Sequence, residues 1–258
     1  MLPCRLIIDP PTAGAWNMAV DEALLEQAAD EGLASLRFYQ WSPPTLSLGY
    51  FQPVAQREEH ADSRDAAVVR RLSGGGALLH DRELTYALCL PAGFALSRQS
   101  TTLYGLVHRA LIGVLSERQI SSRLWSDARD APTPHWTEDD QFLCFLRRTA
   151  DDVVAANRSD PNTWAKIAGS AQRRRRGAVL QHGSLLLGAS SHAPQLPGIR
   201  ELCGASLDPH AVAEAWAARL GDTLKLSLIR TDSQSALPNE RIASLVRKFE
   251  SSQWTGRR

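Results

Sequence analysis

The sequence predicts an α/β (α+β) fold, a mixed β-sheet with flanking helices. Three observations predict it. Stretches with a two-residue apolar period arrive in groups, stretches with helical period lie mostly before and after those groups, and no linker separates two halves of comparable size. The 258 residues are therefore read as a single domain, 1–258, ending in a short helical tail from about 206 to 258.

The elements follow in order. Asn17 to Glu31 is rich in alanine and leucine and predicts a helix stopped by Gly32. Leu36, Phe38 and Gln40 alternate with Arg37 and Tyr39, and Leu46, Leu48 and Tyr50 repeat that period after Pro43-Pro44, so two strands are expected. Ala67–Leu72 and Leu84–Leu90 predict strands on either side of three glycines. From Leu103 to Leu115 the apolar set Leu103, Leu106, Val107, Ala110, Leu111, Val114 and Leu115 keeps helix spacing throughout. Trp125 to Asp140, rich in Asp, Pro and Thr, predicts a long loop. Three strands are expected next, at Gln141–Leu146, Asp152–Ala156 and Thr163–Gln172. The last is joined through the turn Arg173–Arg176 and Gly177 to another, Ala178–Leu187. Asp208 and Pro209 form an N-cap pair for a helix expected to stop at Gly221, and a last helix is expected over Asn239–Glu250.

Composition excludes several classes. Lys and Arg number 29 against 28 Asp and Glu, a net charge of +1, so no general attraction to nucleic acid follows. The N-terminal apolar run is too short for a signal peptide, and no stretch approaches the roughly 18 apolar residues of a membrane span. A cytoplasmic protein without a membrane partner is expected. Cys4, Cys89, Cys144 and Cys203 show no C-x-x-C spacing, so free thiols are expected rather than a metal site.

Two clusters carry the chemistry. "RRLSGGGALLHDRELTY", Arg70–Tyr86, lacks both phosphate-loop spacings and runs on into strand rather than helix. Its Gly74, Gly75 and Gly76 allow close backbone approach to a ligand, although a tight turn between strands fits them equally well. "KIAGSAQRRRRGAVLQHGSLLL", Lys166–Leu187, puts a lysine in an otherwise buried strand, where an ammonium needs a ligand or a counter-charge. His60, His108, His135, His192 and His210 are expected on the surface. Trp16, Tyr39, Trp41, Tyr50 and Phe51 are expected in the core or a pocket wall.

Together the clusters resemble the lipoate–protein ligase and octanoyltransferase family, through R-R-x-S-G-G-G-A-x-x-H-D at Arg70–Asp81, K-I-x-G-S-A-Q at Lys166–Gln172 and Q-H-G-S-L-L at Gln181–Leu186. "WNMAVDEALL" at Trp16–Leu25 and "LRFYQWSPPTLSLGYFQ" at Leu36–Gln52 extend the likeness from about residue 5 to about 190. The resemblance implies a fold shared with biotin ligases and class II aminoacyl-tRNA synthetases. It also implies that the glycine loop closes over an eight-carbon acyl chain. Arg70, Arg71, Ser73, Gly74, Gly75, Gly76, Ala77, His80, Gly169, Ser170, Gln181, His182 and Gly183 are thereby expected at the substrate, and Lys166 at its carbonyl.

Members of this family either adenylate lipoate with ATP or carry octanoyl from a carrier protein on a cysteine. Cys144-Phe145 is similar to the C-F of the cysteine octanoyltransferases, which makes Cys144 the expected nucleophile; an inert buried thiol is the alternative. Glu83-Leu84-Thr85 stands where ligases usually carry Gly-Asn, although Glu83 also fits a surface turn. On this resemblance the donor is octanoyl-acyl carrier protein. The acceptor is a lipoyl-accepting carrier, the glycine cleavage H protein or a dehydrogenase E2 lipoyl domain. No cofactor is implied, ATP and Mg entering only if the chain is a ligase, and no metal ligands are expected. A lipoyl amidotransferase and a non-catalytic acyl-carrier binding module are the other readings.

Overall fold

A computed structural model describes residues 1–128 and 142–258. The strands are β1 (Leu2–Ile8), β2 (Ala34–Tyr39), β3 (Thr45–Leu48), β4 (Ala67–Arg70), β5 (Leu78–His80), β6 (Glu83–Leu90), β7 (Ser122–Leu124), β8 (Val153–Asn157), β9 (Asp160–Arg175), β10 (Ala178–Leu186) and β11 (Leu226–Thr231). The helices are α1 (Gly14–Asp30), α2 (Ser100–Ser116), α3 (Ile199–Cys203), α4 (Pro209–Leu224), α5 (Ser233–Ala236), α6 (Asn239–Glu250) and α7 (Ser252–Thr255). Eight strands form one mixed sheet in the order β11-β1-β2-β6-β10-β9-β8-β7, parallel from β11 to β2 and antiparallel beyond; β4-β3-β5 is a separate small sheet.

Strand alternation divides the core. On β6, Leu84, Tyr86, Leu88 and Leu90 face Leu103, Val107 and Leu111 of α2 and Trp216 and Leu220 of α4. The intervening Ala87 and Cys89 face Met18 and Leu24 of α1, backed by Ile242, Leu245 and Phe249 of α6. Each such aliphatic side chain contributes about 1.5–3 kcal/mol by leaving water. The small sheet rests on a third cluster that includes Phe142, Leu143 and Phe145.

The structure departs from the sequence expectations at definite points. Gln141 lies outside the described residues, as do 129–140 of the expected loop, and the rest of Gln141–Leu146 is not a strand. Leu143 makes one isolated bridge to Ala77, and Cys144–Leu146 turns as a 3₁₀ helix. The apolar run there serves burial under the small sheet rather than a ladder. The expected arginine turn is shorter, because Arg173–Arg175 continue β9 and the chain reverses at Arg176 and Gly177, with φ of 47° and 86°. Helix α4 starts as expected, with Asp208 Oδ2 accepting from Ala211 N at 2.8 Å, but runs through Gly221. It ends at Lys225, whose left-handed φ of 57° lets its N–H reach Gly221 O. The segment 206–258 is not purely helical, since Leu226–Thr231 joins the main sheet beside β1. Strands β1, β5, β7 and β11 had no sequence forecast.

One buried cation ties these layers together. Arg37 on β2 is fully buried and donates through Nε to Asp9 at 2.7 Å and through Nη1 to Asp21 of α1 at 3.0 Å. Burial pulls its pKa down, but the two carboxylates more than offset that and hold it raised. Arg37→Met leaves both carboxylates without their partner, so a loss of about 3–5 kcal/mol in unfolding free energy is expected in urea titrations.

Candidate active site

A cavity of about 360 Å³ lies between the main sheet and the loop that joins β4 to β5. Its wall contains Cys144, Lys166, Arg71, Gly74, Gly75 and His182, so residues far apart in sequence meet there. The glycines explain how. Gly75 has φ +95°, a conformation that disfavours side chains. A Cβ on Gly76 would stand 2.8 Å from Phe142 O and 3.2 Å from Cys144 N. This bare backbone lets the incoming chain pair with the loop, Ala77 N donating to Phe142 O and Cys144 N to Ala77 O, each at 2.7 Å. The thiol is thereby fixed against the glycines, and a Cβ on Gly75 would be 3.8 Å from Cys144 Sγ.

Arg71 supports the loop from below. Its Nη1 donates to Ser47 O at 2.8 Å and its Nη2 to Gly74 O and Gly76 O at 2.8 and 2.7 Å. Burial lowers its pKa, while the nearby Cys144 acts in the opposite sense. Opposite the loop, Lys166 is 6% exposed and its Nζ lies 2.8 Å from Asp152 Oδ2, 3.3 Å from Arg147 O and 5.0 Å from the Phe145 ring centroid. Its stem crosses Gly169, where a Cβ would stand 2.5 Å from Cε. Asp152 was missed in the sequence. The signal was there, because a buried lysine requires a counter-charge and Asp152 directly precedes β8, the strand paired to β9 at Val154 and Lys166.

A second polar chain holds the loop to the sheet. His182 Nε2 is 2.5 Å from Ser73 Oγ, and Nδ1 is 3.1 Å from Asp21 Oδ2, which also accepts from Tyr39 OH at 2.8 Å. In the neutral ring Nδ1 carries the proton toward Asp21, and Nε2 accepts from Ser73. His80 stacks on Trp41 with centroids 3.8 Å apart, binds Glu83 Oε1 at 2.6 Å through Nδ1 and Ser47 Oγ at 2.8 Å through Nε2. Burial pushes its pKa down, partly opposed by Glu83.

Not every expected residue is on the wall. Gly74, Gly75, Arg71, His80, Lys166, Gly169, Ser170, His182, Gly183 and Cys144 are; Arg70, Ser73, Gly76, Ala77 and Gln181 stand behind it. Arg70 is fully buried, with its donors taken by the carbonyls of Gly49, Gln52 and Thr255, so it braces chain turns instead of facing the cavity. Gln181 donates to Tyr86 OH at 2.8 Å. His108, expected on the surface, is 1% exposed, with Nδ1 2.5 Å from Asp151 O and Nε2 2.6 Å from Ser170 Oγ. Glu83 is likewise interior, its Oε1 accepting from Ser184 at 2.9 Å as well as binding His80. Phe51, expected in the core or a pocket wall, is 66% exposed and does not line the cavity. His135 lies outside the described residues. Among the described residues no His, Cys, Asp and Glu group could hold a metal, and no helix is long and apolar enough to cross a membrane.

A family model for the lipoyl protein ligase A/B catalytic domain matches residues 13–195. Octanoyltransferase LipM of Brevibacillus brevis is 35% identical over 188 residues, covering 71% of this chain and 65% of that protein. Octanoyltransferase LipM of Kyrpidia tusciae is 28% identical over 279 residues, covering 98% of both. The matched segment thus spans slightly less than two thirds of the Brevibacillus relative. Among solved structures, a bipartite lipoate protein ligase of Thermoplasma acidophilum superposes with a TM-score of 0.69 at 18% identity, covering 99% of this chain and 97% of that one. Its likeness concerns the fold.

Of the four thiols, all free, only Cys144 lines the cavity. Burial pushes Cys4 up to about 12, Cys89 well above the usual thiol range and Cys203 also upward. Native protein treated with iodoacetamide near pH 7.5 is therefore expected to label first at Cys144, with Cys4 and Cys89 labelled only after unfolding, as read by peptide mass spectrometry. Equal labelling of Cys89 in the native state would contradict this.

Proposed function

The chain belongs to the lipoyl protein ligase A/B catalytic-domain family, and on that premise we propose that it is an octanoyl (or lipoyl) transferase acting through a cysteine thioester. The donor is an octanoyl-acyl carrier protein. The acceptor is a lysine of a lipoyl-accepting carrier, such as the glycine cleavage H protein or an E2 lipoyl domain, in the cytoplasm. The observation that carries the reading is the meeting of Cys144 and Lys166 on one cavity wall, with the glycine loop held against the thiol. The named activity of the LipM relatives supports it.

In the first half-reaction the Cys144 thiolate attacks the donor carbonyl, the C–S bond to the carrier's phosphopantetheine breaks, and the thiol product takes up the proton. In the second, the acceptor amine attacks the Cys144 thioester, the C–S bond breaks as an amide forms, and the departing Cys144 sulfur is balanced by the proton the amine gives up. Lys166, oriented by Asp152 and Arg147 O, donates to the carbonyl oxygen as negative charge develops on it. No nucleotide is consumed, because the incoming thioester is already activated.

Mixing the protein with octanoyl-acyl carrier protein, with and without ATP, tests the reading. Intact mass is expected to rise by one octanoyl group without ATP, and neutral hydroxylamine to remove it. A Cys144→Ala variant that still gains a hydroxylamine-labile octanoyl group would end the assignment.

Two variants test the oxyanion role. Lys166→Ala is expected to slow loading roughly 100–1,000-fold, the effect of losing one preorganised donor, with the fold retained at a lowered melting temperature because Asp152 is left buried without its counter-charge. Gly169→Ala displaces the Lys166 stem while leaving its charge present, so a loss of the same sign is expected, with a lowered melting temperature because the new Cβ crowds both members of the buried Lys166–Asp152 pair. Single-turnover loading rates and thermal melts of both variants supply the check.

A further inference from the structure

The face of β9 turned toward the glycine loop changes character along its length. Gly169 and Ala171 line the cavity; two residues on, Arg173 occupies the same face, with its guanidinium carbon 5.0 Å from the Tyr50 ring centroid. Tyr50 adjoins the loop, its N–H donating to Ser73 O at 2.9 Å. Phe51, packed edge-on against Tyr50, lies over Gly74, where a Cβ would stand 3.9 Å from its ring. Arg257 covers the same Tyr50 ring at 4.5 Å, and Arg258 stands 5.8 Å from Phe51. Three guanidinium groups and an exposed phenyl ring thus gather where the cavity wall ends.

These arginines differ from their neighbours in what balances them. Arg175 pairs with Glu26 at 3.2 Å and Arg176 with Asp30 at 2.6 Å. Arg173, Arg257 and Arg258 have aromatic faces but no carboxylate partner among the described residues, and the latter two lower the pKa of Arg70 behind them after the effect of its burial. The chain as a whole carries only +1, so this cluster is a local concentration of positive charge on a nearly neutral protein.

We propose that the Arg173, Arg257 and Arg258 rim, with Phe51 at its centre, is the docking surface for the acidic carrier protein that delivers the acyl thioester. The inference rests on the acyltransferase reading and deepens it by locating the partner. Charge complementarity names the occupant. A carboxylate-rich face seats against uncompensated guanidinium groups, an apolar side chain covers Phe51, and the acyl arm enters beside Gly74. Guanidinium groups already stacked on aromatic rings lose less side-chain freedom when they bind.

Two donors separate docking from chemistry. Octanoyl-acyl carrier protein presents the acidic surface, whereas octanoyl-pantetheine presents only the arm. Arg173→Glu with Arg257→Glu is expected to lower the second-order loading rate from the carrier about tenfold at 50 mM salt, with the deficit shrinking toward 0.5 M, while loading from octanoyl-pantetheine stays within twofold of wild type. Arg176→Glu, whose arginine faces Asp30, is expected to change neither rate. Equal losses with both donors, or no loss with the carrier, overturn the docking assignment. If the wild-type chain loads from neither donor, the acyltransferase reading fails and the docking assignment falls with it.

Discussion

The buried carboxylate of Asp21 is the point on which the site depends. One oxygen accepts from Arg37 on β2, and the other meets Tyr39 OH and His182 Nδ1 on β10. A single helix residue thereby fixes two strands of the main sheet and, through His182 and Ser73, the glycine loop. A buried carboxylate is tolerable only because its hydrogen-bonding capacity is used, and here it binds an arginine, a tyrosine and a histidine. Removing any one of them loosens the loop as well as the core.

From that anchor the loop acts as a scaffold for a segment that has no regular structure of its own. Cys144 lies on no long strand; it is held by its N–H donating to Ala77 O, by the neighbouring bond from Ala77 N to Phe142 O, and by the apolar packing of Leu143 and Phe145. Glycines matter here for what they leave out. A methyl group at position 76 would meet Phe142 O, and one at position 49 would meet Gly75 O at 1.9 Å. The loop therefore positions the cysteine by allowing one chain to pass against another, a role separate from closing over a ligand.

This division explains what could be read in the sequence. Helices α2 and α6 and strand β6 were legible because their apolar periods match their burial, as at Leu103, Val107 and Leu111 or at Ile242, Leu245 and Phe249. The glycine loop, Lys166 and Cys144 were legible as motifs through resemblance. What escaped were pairings that depend on distant partners. Strand β11 alternates Leu226 and Leu228 with Ser227 and Ile229, but its match to β1 is a contact across more than 200 residues. Asp152, Asp21 and the interior placement of His108 and Glu83 escaped for the same reason. Polar residue types are ordinarily assigned to the surface until a structure supplies their partners.

The Lys166–Asp152 pair also bears on which acyl donors the site suits. With Asp152 and Arg147 O engaging Nζ, the ammonium is held from one side, and in the proposed mechanism it stabilises charge on an oxygen rather than passing a proton to a leaving group. Such a site favours a substrate whose leaving group departs readily as an anion. A thiolate does, since a free thiol has a pKa of about 8.5, whereas an alkoxide or an amide nitrogen must be protonated as it leaves. Under the proposed chemistry this preference applies twice, to the carrier thiol that leaves first and to the Cys144 sulfur that leaves second. The same fixed cation serves both steps, so the cavity has no need to rearrange between taking the acyl group and giving it up.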